Sequence, residues 1–333
     1  MSEMTTLTTP HDLLAAIPFL IGYHPVNSLV LVSLKDDSIG MAMRIDYPLD
    51  APIGAFDLIA SHFLRDSAQG AFIVAYVPDG ATDGDEVLAT VGLALEHAGV
   101  SIRESLLIQA GRYRSVLCGD TQCCPLAGRE VPAIDSSRIA AEHVIAGHVM
   151  PFANVEGLVE SIAPHFICRD ENWQSQVKSY FVDSSSPTLN AMQRDGARAI
   201  IDCAIEYKSG KWSENPELTA RVIGRLSDIQ VRDFALGSHD GGSIDTYWAM
   251  WRHLLVIAPP GFIAPVASLF ACLAYERGEG ALAHKALDRA LEDDASYSLA
   301  TLLRRVFTAG WPPLALANMR KELHPKVCAG IFN

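Results

Sequence analysis

The sequence predicts an N-terminal α/β domain, with a mixed sheet and packed helices, followed by an all-helical domain. Before residue 118, apolar segments of strand length alternate with segments of helical spacing. After the loop 117–128, helical spacing dominates, and Gly and Pro separate the segments. The region 149–186 mixes proline, short helical stretches and a polar run, so we place the domains at 1–150 and 151–333.

The strands of the first domain are predicted from β-branched and apolar residues bounded by turn residues. Segments 28–34 and 71–77 are apolar throughout, which is typical of strands covered on both faces. The alternating segment 39–46 follows a polar turn and predicts an antiparallel partner for the first strand. In chain order, the predicted strands are 28–34, 39–46, 71–77, 104–110 and 112–117.

The helices of the first domain are predicted from their capping residues and apolar spacing. Thr9 and Pro10 begin the first helix, Asp50 and Pro52 begin the second, and Gly99 ends the third. Helical crossovers favour parallel neighbouring strands and tight turns favour antiparallel ones, so a mixed sheet follows. The predicted helices are 10–21, 50–65, 83–98 and, after the cysteine loop, 137–148.

Helices account for almost all of the chain after residue 187. Apolar residues recur there at helical spacing between junctions marked by Gly and Pro. The predicted helices of this domain are 188–208, 216–236, 244–257, 265–277, 281–293 and 297–308.

One helix hairpin of this domain resembles a tetratricopeptide repeat. The matching small and apolar residues are Ala271, Gly278, Ala283, Leu287, Ala290 and Leu291. Ala295 stands where that family prefers proline, and Thr301, Arg304 and Arg305 follow where apolar residues are expected. Because a peptide groove needs about three stacked repeats, we expect a helical packing unit rather than a peptide receptor.

Several short motifs occur together over most of the chain. They are Leu13-Leu14 with Ile17-Pro18, Gly22-Tyr23-His24-Pro25 with Ser28-Leu29-Val30, Arg44-Ile45-Asp46, Gly111-Arg112, Leu117-Cys118 with Cys123-Cys124-Pro125, and Gly280-Ala281-Leu282-Ala283 with Ala290-Leu291. In this combination the chain resembles an actinobacterial family known as domain of unknown function 4192. The resemblance implies no established activity. The segment 112–114 departs from the more aromatic strand expected in that family.

Composition and charge restrict the partners and the location. The chain has 333 residues, of which 49% are hydrophobic, so it can bury the cores of two domains. A net charge of −13 and the lack of a Lys/Arg run disfavour nucleic acid and anionic membranes as partners. We expect neither a signal peptide nor a membrane anchor. Seven cysteines, an odd number, fit a reducing compartment, so we expect a cytoplasmic location.

A candidate metal or thiol site lies in the loop 117–128, which contains Cys118, Cys123 and Cys124. Thiolates bind zinc, and His143 or His148 would complete a tetrahedron. However, structural zinc cysteines usually stand two to four residues apart, and adjacent cysteines are expected to point different ways. We therefore expect a loop of reduced, packed cysteines and no cofactor. A bound zinc ion is the alternative. A reactive thiolate at this loop would need a pKa lowered by nearby arginines.

A candidate ligand or anion site involves the charged residues of two strands. Arg44 and Asp46 lie two residues apart and project from one face of their strand. Arg112 and Arg114 would join Arg44 if the cysteine loop folds back beside that strand. The alternative is an ordinary ion pair on a solvated sheet edge.

The sequence contains no complete catalytic, nucleotide or nucleic-acid motif. We therefore expect a cytoplasmic, non-catalytic binding or protein-interaction protein whose partner is a protein or a small anionic ligand. The alternative is a hydrolase-like enzyme with a small anionic substrate, which requires Arg44, Asp46, Arg112 and the cysteine loop to surround one cleft. An adaptor would instead expose an apolar patch on its helices.

Overall fold

The computed structural model describes residues 7–36, 38–47, 55–146, 149–211 and 215–332. The chain forms two compact units, Met1–Leu158 and Val159–Asn333. The first unit combines a sheet with helices and the second is helical, so the predicted fold class is confirmed. The division follows Leu158, whereas the sequence placed the boundary after residue 150.

The sheet of the first unit has six strands in the described part of the chain. They are β1 (Ser28–Lys35), β2 (Ser38–Asp46), β3 (Gly70–Tyr76), β4 (Ser101–Gln109), β5 (Arg112–Ser115) and β6 (Arg129–Glu130). Their order across the sheet is β2-β1-β3-β4-β5-β6. Neighbours are antiparallel except β3 and β4, which a helical crossover makes parallel. The predicted mixed sheet is confirmed, and β6 is an additional short strand.

In the described residues of the first unit up to residue 146 there are four α-helices, α1 (Pro10–Ile21), α2 (Ala55–Arg65), α3 (Gly84–His97) and α4 (Arg138–Ile145). Apolar side chains of β1 and β3 pack against α2 and α3 to form the main core. Leu31, Phe63 and Leu95 are wholly buried there. The predicted start of α2 at Asp50 and Pro52 lies outside the described residues, as does His148 at the predicted end of α4.

Helix α1 has a fixed first turn and a defined end. The Thr9 hydroxyl accepts a hydrogen bond from the backbone N–H of Asp12, whose carboxylate accepts one from the backbone N–H of Thr9. This capping box satisfies donors that a helix start leaves unpaired. The helix ends at Gly22, whose φ of 90° is left-handed. Between these ends, α1 packs against Ile139 of α4.

The second unit is built from helices. They begin with α5 (Val155–Glu160) at the division and continue with α6 (Glu171–Ser179), α7 (Leu189–Ser209), α8 (Pro216–Arg225), α9 (Ile229–Gly237), α10 (Ile244–Ile257), α11 (Ile263–Glu276), α12 (Gly280–Asp293), α13 (Ser298–Thr308) and α14 (Pro313–Phe332). None of the helices in the described ranges is both long and apolar enough to cross a membrane.

The predicted helix 216–236 is wrong, because the chain forms two helices there. Apolar spacing continues across the junction, but the Asp228 carboxylate accepts hydrogen bonds from the backbone N–H groups of Gln230 and Val231. Asp228 therefore acts as an N-cap and starts α9 as a separate helix.

The helix hairpin of α11 and α12 is confirmed. Every residue of α11 from Ala264 to Ala274 is buried, and Ala283, Leu287 and Ala290 of α12 are buried in the hairpin partner. The Asp293 carboxylate at the end of α12 accepts backbone N–H hydrogen bonds at the start of α11, at 2.7 to 3.0 Å. The hairpin is thus closed by its own side chain. Its resemblance to a tetratricopeptide repeat stays a prediction.

Helix α14 is anchored by a buried ion pair. Arg320 donates two hydrogen bonds, of 2.8 and 3.1 Å, to the carboxylate of Glu276 on α11, and both side chains are at most 5% exposed. Arg320 also donates to the carbonyl oxygen of His239 at 2.9 Å. The His239 ring lies 3.2 Å from the same carboxylate. Each charge of this cluster therefore has a partner inside the unit.

Candidate functional site

The cysteine loop connects β5 to β6 at the edge of the sheet. Two residue pairs define the short ladder, Arg112 with Glu130 and Tyr113 with Arg129. Gly128 carries the chain back into β6 with a left-handed φ of 70°, and a Cβ there would lie 2.9 Å from the carbonyl oxygen of Tyr113. The loop therefore returns to its own starting strand, which brings its middle next to its beginning.

The three cysteines of the loop come together. The sulfur atoms of Cys118, Cys123 and Cys124 lie within 4.8 Å of one another. None is in a disulfide; Cys118 and Cys124 are half-buried and Cys123 is exposed. The expectation that the two adjacent cysteines would point different ways is wrong, because both thiols reach the cluster.

Hydrogen bonds to Asp120 and Ser115 shape the loop. The Asp120 carboxylate accepts from the backbone N–H groups of Gln122 and Cys123, and the Asp120 carbonyl oxygen accepts from Cys124 at 2.7 Å. The Ser115 hydroxyl accepts from the backbone N–H of Cys118 at 3.2 Å. These local bonds form a tight turn of the kind that aspartate favours. They place the three thiols on one side of the turn.

Two arginines hold the loop by its carbonyl oxygens. Arg129 donates from Nε to the carbonyl oxygen of Cys123 at 2.7 Å. Arg112 donates to the carbonyl oxygens of Ala127 and Gly128, at 2.8 and 2.7 Å. Guanidinium groups that are committed to the backbone in this way position the loop, and they leave few donors for an anion.

The surroundings of the cluster favour the protonated form of the Cys124 thiol over its thiolate. Burial, followed by the neighbouring thiols of Cys118 and Cys123, raises the pKa of the Cys124 thiol. This direction is opposite to that of a reactive cysteine, whose pKa is lowered by nearby positive charge. A bound cation would reverse the effect, since a coordinating thiol is deprotonated outright.

A pocket of about 220 Å³ opens beside two of the thiols. Its lining residues are Thr9, Pro10, His11, Tyr113, Arg114, Ser115, Cys123, Cys124 and Arg129. The His11 ring meets the Tyr113 ring edge to face, with centroids 5.4 Å apart. Helix α1 and the cysteine loop, which are far apart in sequence, therefore share one pocket. No spacing pattern in the sequence points to His11; only its place in the first turn of a capped helix could have indicated it.

His143, one of the two histidines expected to complete a zinc site, does not join the thiols in the part of the chain that the structure describes. His143 lies against Phe19, with the two rings stacked 4.2 Å apart. The metal-capable group found in these ranges consists of cysteines alone. His148 lies outside the described residues.

The structure does not bring the predicted anion-site residues together. Arg44 pairs with Asp46 at 2.5 Å on β2, at one edge of the sheet. Arg112 and Arg114 lie on β5, and three strands separate β5 from β2. At about 4.8 Å per strand, the two groups are roughly 19 Å apart. The expectation that Arg44, Asp46 and the cysteine loop surround one cleft is therefore wrong.

Arg114 also has a local partner. It donates to both carboxylate oxygens of Asp85 at the start of α3, at 2.5 and 2.6 Å. Because side chains alternate along a strand, this pair lies on the face opposite to Tyr113 and Ser115. Arg114 therefore fastens α3 to β5.

These features define a two-unit protein with a thiol-rich loop at the edge of a mixed sheet and a separate helical unit. The family model described as "Domain of unknown function (DUF4192)" matches residues 10–314. The chain belongs to this family, and the match includes α1, the cysteine loop and most of the helical unit. No curated protein and no solved structure matches the chain.

Proposed function

We propose that this protein is a cytoplasmic, non-catalytic binding protein whose first unit holds a zinc ion through Cys118, Cys123 and Cys124. The observation that carries the proposal is the mutual approach of the three sulfur atoms to within 4.8 Å. Zn–S bonds of about 2.3 Å place the sulfurs of a tetrahedral site roughly 3.8 Å apart. Small rotations about the cysteine side-chain bonds close that difference.

The donor set favours zinc over harder cations. Thiolate sulfur suits zinc and other thiophilic metals, whereas Mg²⁺ and Ca²⁺ require oxygen ligands. Asp120, the one acidic residue of the loop 117–128, already accepts hydrogen bonds from backbone N–H groups of the turn. The three thiols are therefore the groups of the loop that a metal would use.

A metal would have a clear structural task at this loop. Strand β6 has two residues, and such a ladder contributes little stability alone. Three bonds from one ion to the loop would fix its middle in the way that structural zinc sites do. This supports a binding role over hydrolysis, since three strands separate Arg44 and Asp46 on β2 from Arg112 on β5.

The cytoplasmic location is supported by the thiols. All seven cysteines are unpaired, and a disulfide within the cluster would remove two of its three ligands. Reduced thiols persist in a reducing compartment. The further partner, a protein or a small anionic ligand, stays a prediction.

The test is metal analysis of the reduced, full-length protein. We expect about one zinc per chain, and loss of this zinc in Cys118→Ser, Cys123→Ser and Cys124→Ser. The matched control is Cys328→Ser, because Cys328 is also half-buried but lies on α14 of the second unit. A folded, reduced protein that takes up no zinc, or a Cys118→Ser variant that keeps it, would overturn the proposal.

A further inference from the structure

We infer that His11 is the fourth ligand of the metal centre, so that one ion joins the first turn of α1 to the cysteine loop. This inference rests on the proposed zinc site and adds a residue that lies on a different element. A structural zinc site is closed by four protein ligands, and three cysteines with one histidine form a common set. The cysteine loop supplies three ligands. The fourth must come from a neighbouring element.

His11 lies where that ligand is needed. It lines the same pocket as Cys123 and Cys124. Its ring nitrogens make no hydrogen bond or ion pair with any residue that the structure describes; its ring contact is the edge-to-face one with Tyr113. Tyr113 in turn lies on β5, directly before the loop. An exposed imidazole with unengaged nitrogens thus lies beside two of the three thiols.

The backbone of His11 is held in place for this role. Pro10 and the capping box of Thr9 and Asp12 fix the first turn of α1. Asp12 also forms a 3.2 Å ion pair with Arg138 on α4. His11 is not part of the group of sulfur atoms that approach one another within 4.8 Å, so its side chain must rotate for a ring nitrogen to reach an ion held by the thiols.

His143, on α4, packs against α1 too far from its first turn to be the fourth ligand. His143 stacks on Phe19, which is eight residues after His11. At about 1.5 Å per residue, that contact lies roughly 12 Å along the helix from the first turn. A water molecule or an external anion is the competing fourth ligand, and the test distinguishes it from His11.

The test compares His11→Ala with the full-length parent in zinc and cobalt binding. We expect His11→Ala to weaken zinc affinity, measured by competition with a chromophoric chelator, by more than about tenfold, since loss of partners behind a ligand alone costs 10- to 100-fold. The visible absorption of the Co²⁺-loaded protein should shift as nitrogen leaves the coordination sphere. His11→Cys should restore tight, tetrahedral binding. The matched control is His97→Ala, an exposed histidine on α3 that does not line the pocket.

The outcomes separate the two proposals. If the parent binds no zinc, the metal centre itself fails. If the parent binds zinc while His11→Ala keeps the same affinity and the same cobalt spectrum, the centre stands and His11 is not its ligand. Circular dichroism of each apo variant checks that the fold is intact, and the exposure of His11 indicates that alanine is tolerated there.

Discussion

The cysteine loop of the first unit and the Arg320–Glu276 cluster of the second unit show two opposite ways of placing polar groups. Arg320, Glu276 and His239 are buried, and each charge is met by another side chain or a carbonyl oxygen. The three thiols are half-buried or exposed, and their sulfur atoms lie within 4.8 Å of one another while Arg129 binds the backbone of their loop. In the helical cluster the opposite charges meet within the chain, whereas the thiol cluster would be completed by the zinc ion that we propose. The first arrangement is suited to stabilising a fold, and the second is suited to binding a metal ion.

The largest effect is expected when the Arg320–Glu276 cluster is broken. Arg320→Met leaves the Glu276 carboxylate buried without its cation, so the second unit should lose about 3–5 kcal/mol of unfolding free energy. The double variant Arg320→Met with Glu276→Met should recover most of this loss, because no charge then remains unpaired. All five tryptophans lie after residue 172, so tryptophan fluorescence in urea reports the second unit selectively. A single variant as stable as the parent would show that the pair is dispensable.

A smaller effect is expected on the stability of the first unit when zinc binds the cysteine loop. Zinc that binds only the folded chain should stabilise the first unit by about 2.7 kcal/mol at a free concentration one hundred times its dissociation constant. Slower amide hydrogen exchange in β5 and α1 measures this gain, and Cys118→Ser should abolish it. The urea midpoint from tryptophan fluorescence should stay unchanged. Equal stabilisation of both units would contradict a site confined to the loop and α1.

The smallest expected effect is the pH dependence of the second unit. Burial lowers the pKa of His239 below its ordinary 6.5. Burial alone would raise the pKa of Glu276, but hydrogen bonds from His239 and Arg320 hold it below 4.5. For both His239 and Glu276, the group is therefore protonated at a higher pH in the unfolded chain than in the folded one. Stability should therefore decrease below about pH 6.5 through His239, and again below about pH 4.5 through Glu276.

His239→Gln separates this contribution from that of other groups around His239, which include Arg320, Asp240 and His324. A glutamine amide can still donate a hydrogen bond to Glu276, but it does not titrate. The urea midpoint of the variant should fall less between pH 7 and pH 5 than that of the parent. Parallel curves for the two proteins would show that His239 does not contribute.

The repetitive parts of the fold could be predicted from the sequence because burial leaves a local pattern. The apolar run of β1, the alternation of β2 and the capped start of α1 each record which faces are covered. Helix α14 lacks such a pattern, because its apolar and polar residues are poorly separated onto different faces and it contains Pro325. Strand β6 is too short to show any period. Both depend on contacts with distant segments.

The candidate site was harder to predict than the fold. Cysteine spacing suggested divergent thiols, but Asp120 bends the loop so that adjacent cysteines reach the same point. His11 is more than one hundred residues from the loop, so no local motif links them. Charge alone groups Arg44 with Arg112, but the strand order, which the charges do not encode, separates them.

Strand order also gives the Arg44–Asp46 pair a different meaning. In the described part of the chain, β2 has no strand on its outer side, and its nine residues would suffice to recruit a strand from another molecule. Charged side chains on such a border disfavour this kind of polymerisation. The opposite border ends in a two-residue strand and a bent loop, which offer little backbone for pairing. The two edges of the sheet thus disfavour aggregation in different ways. The β2 edge carries charged side chains, and the β6 edge is too short to pair with another strand.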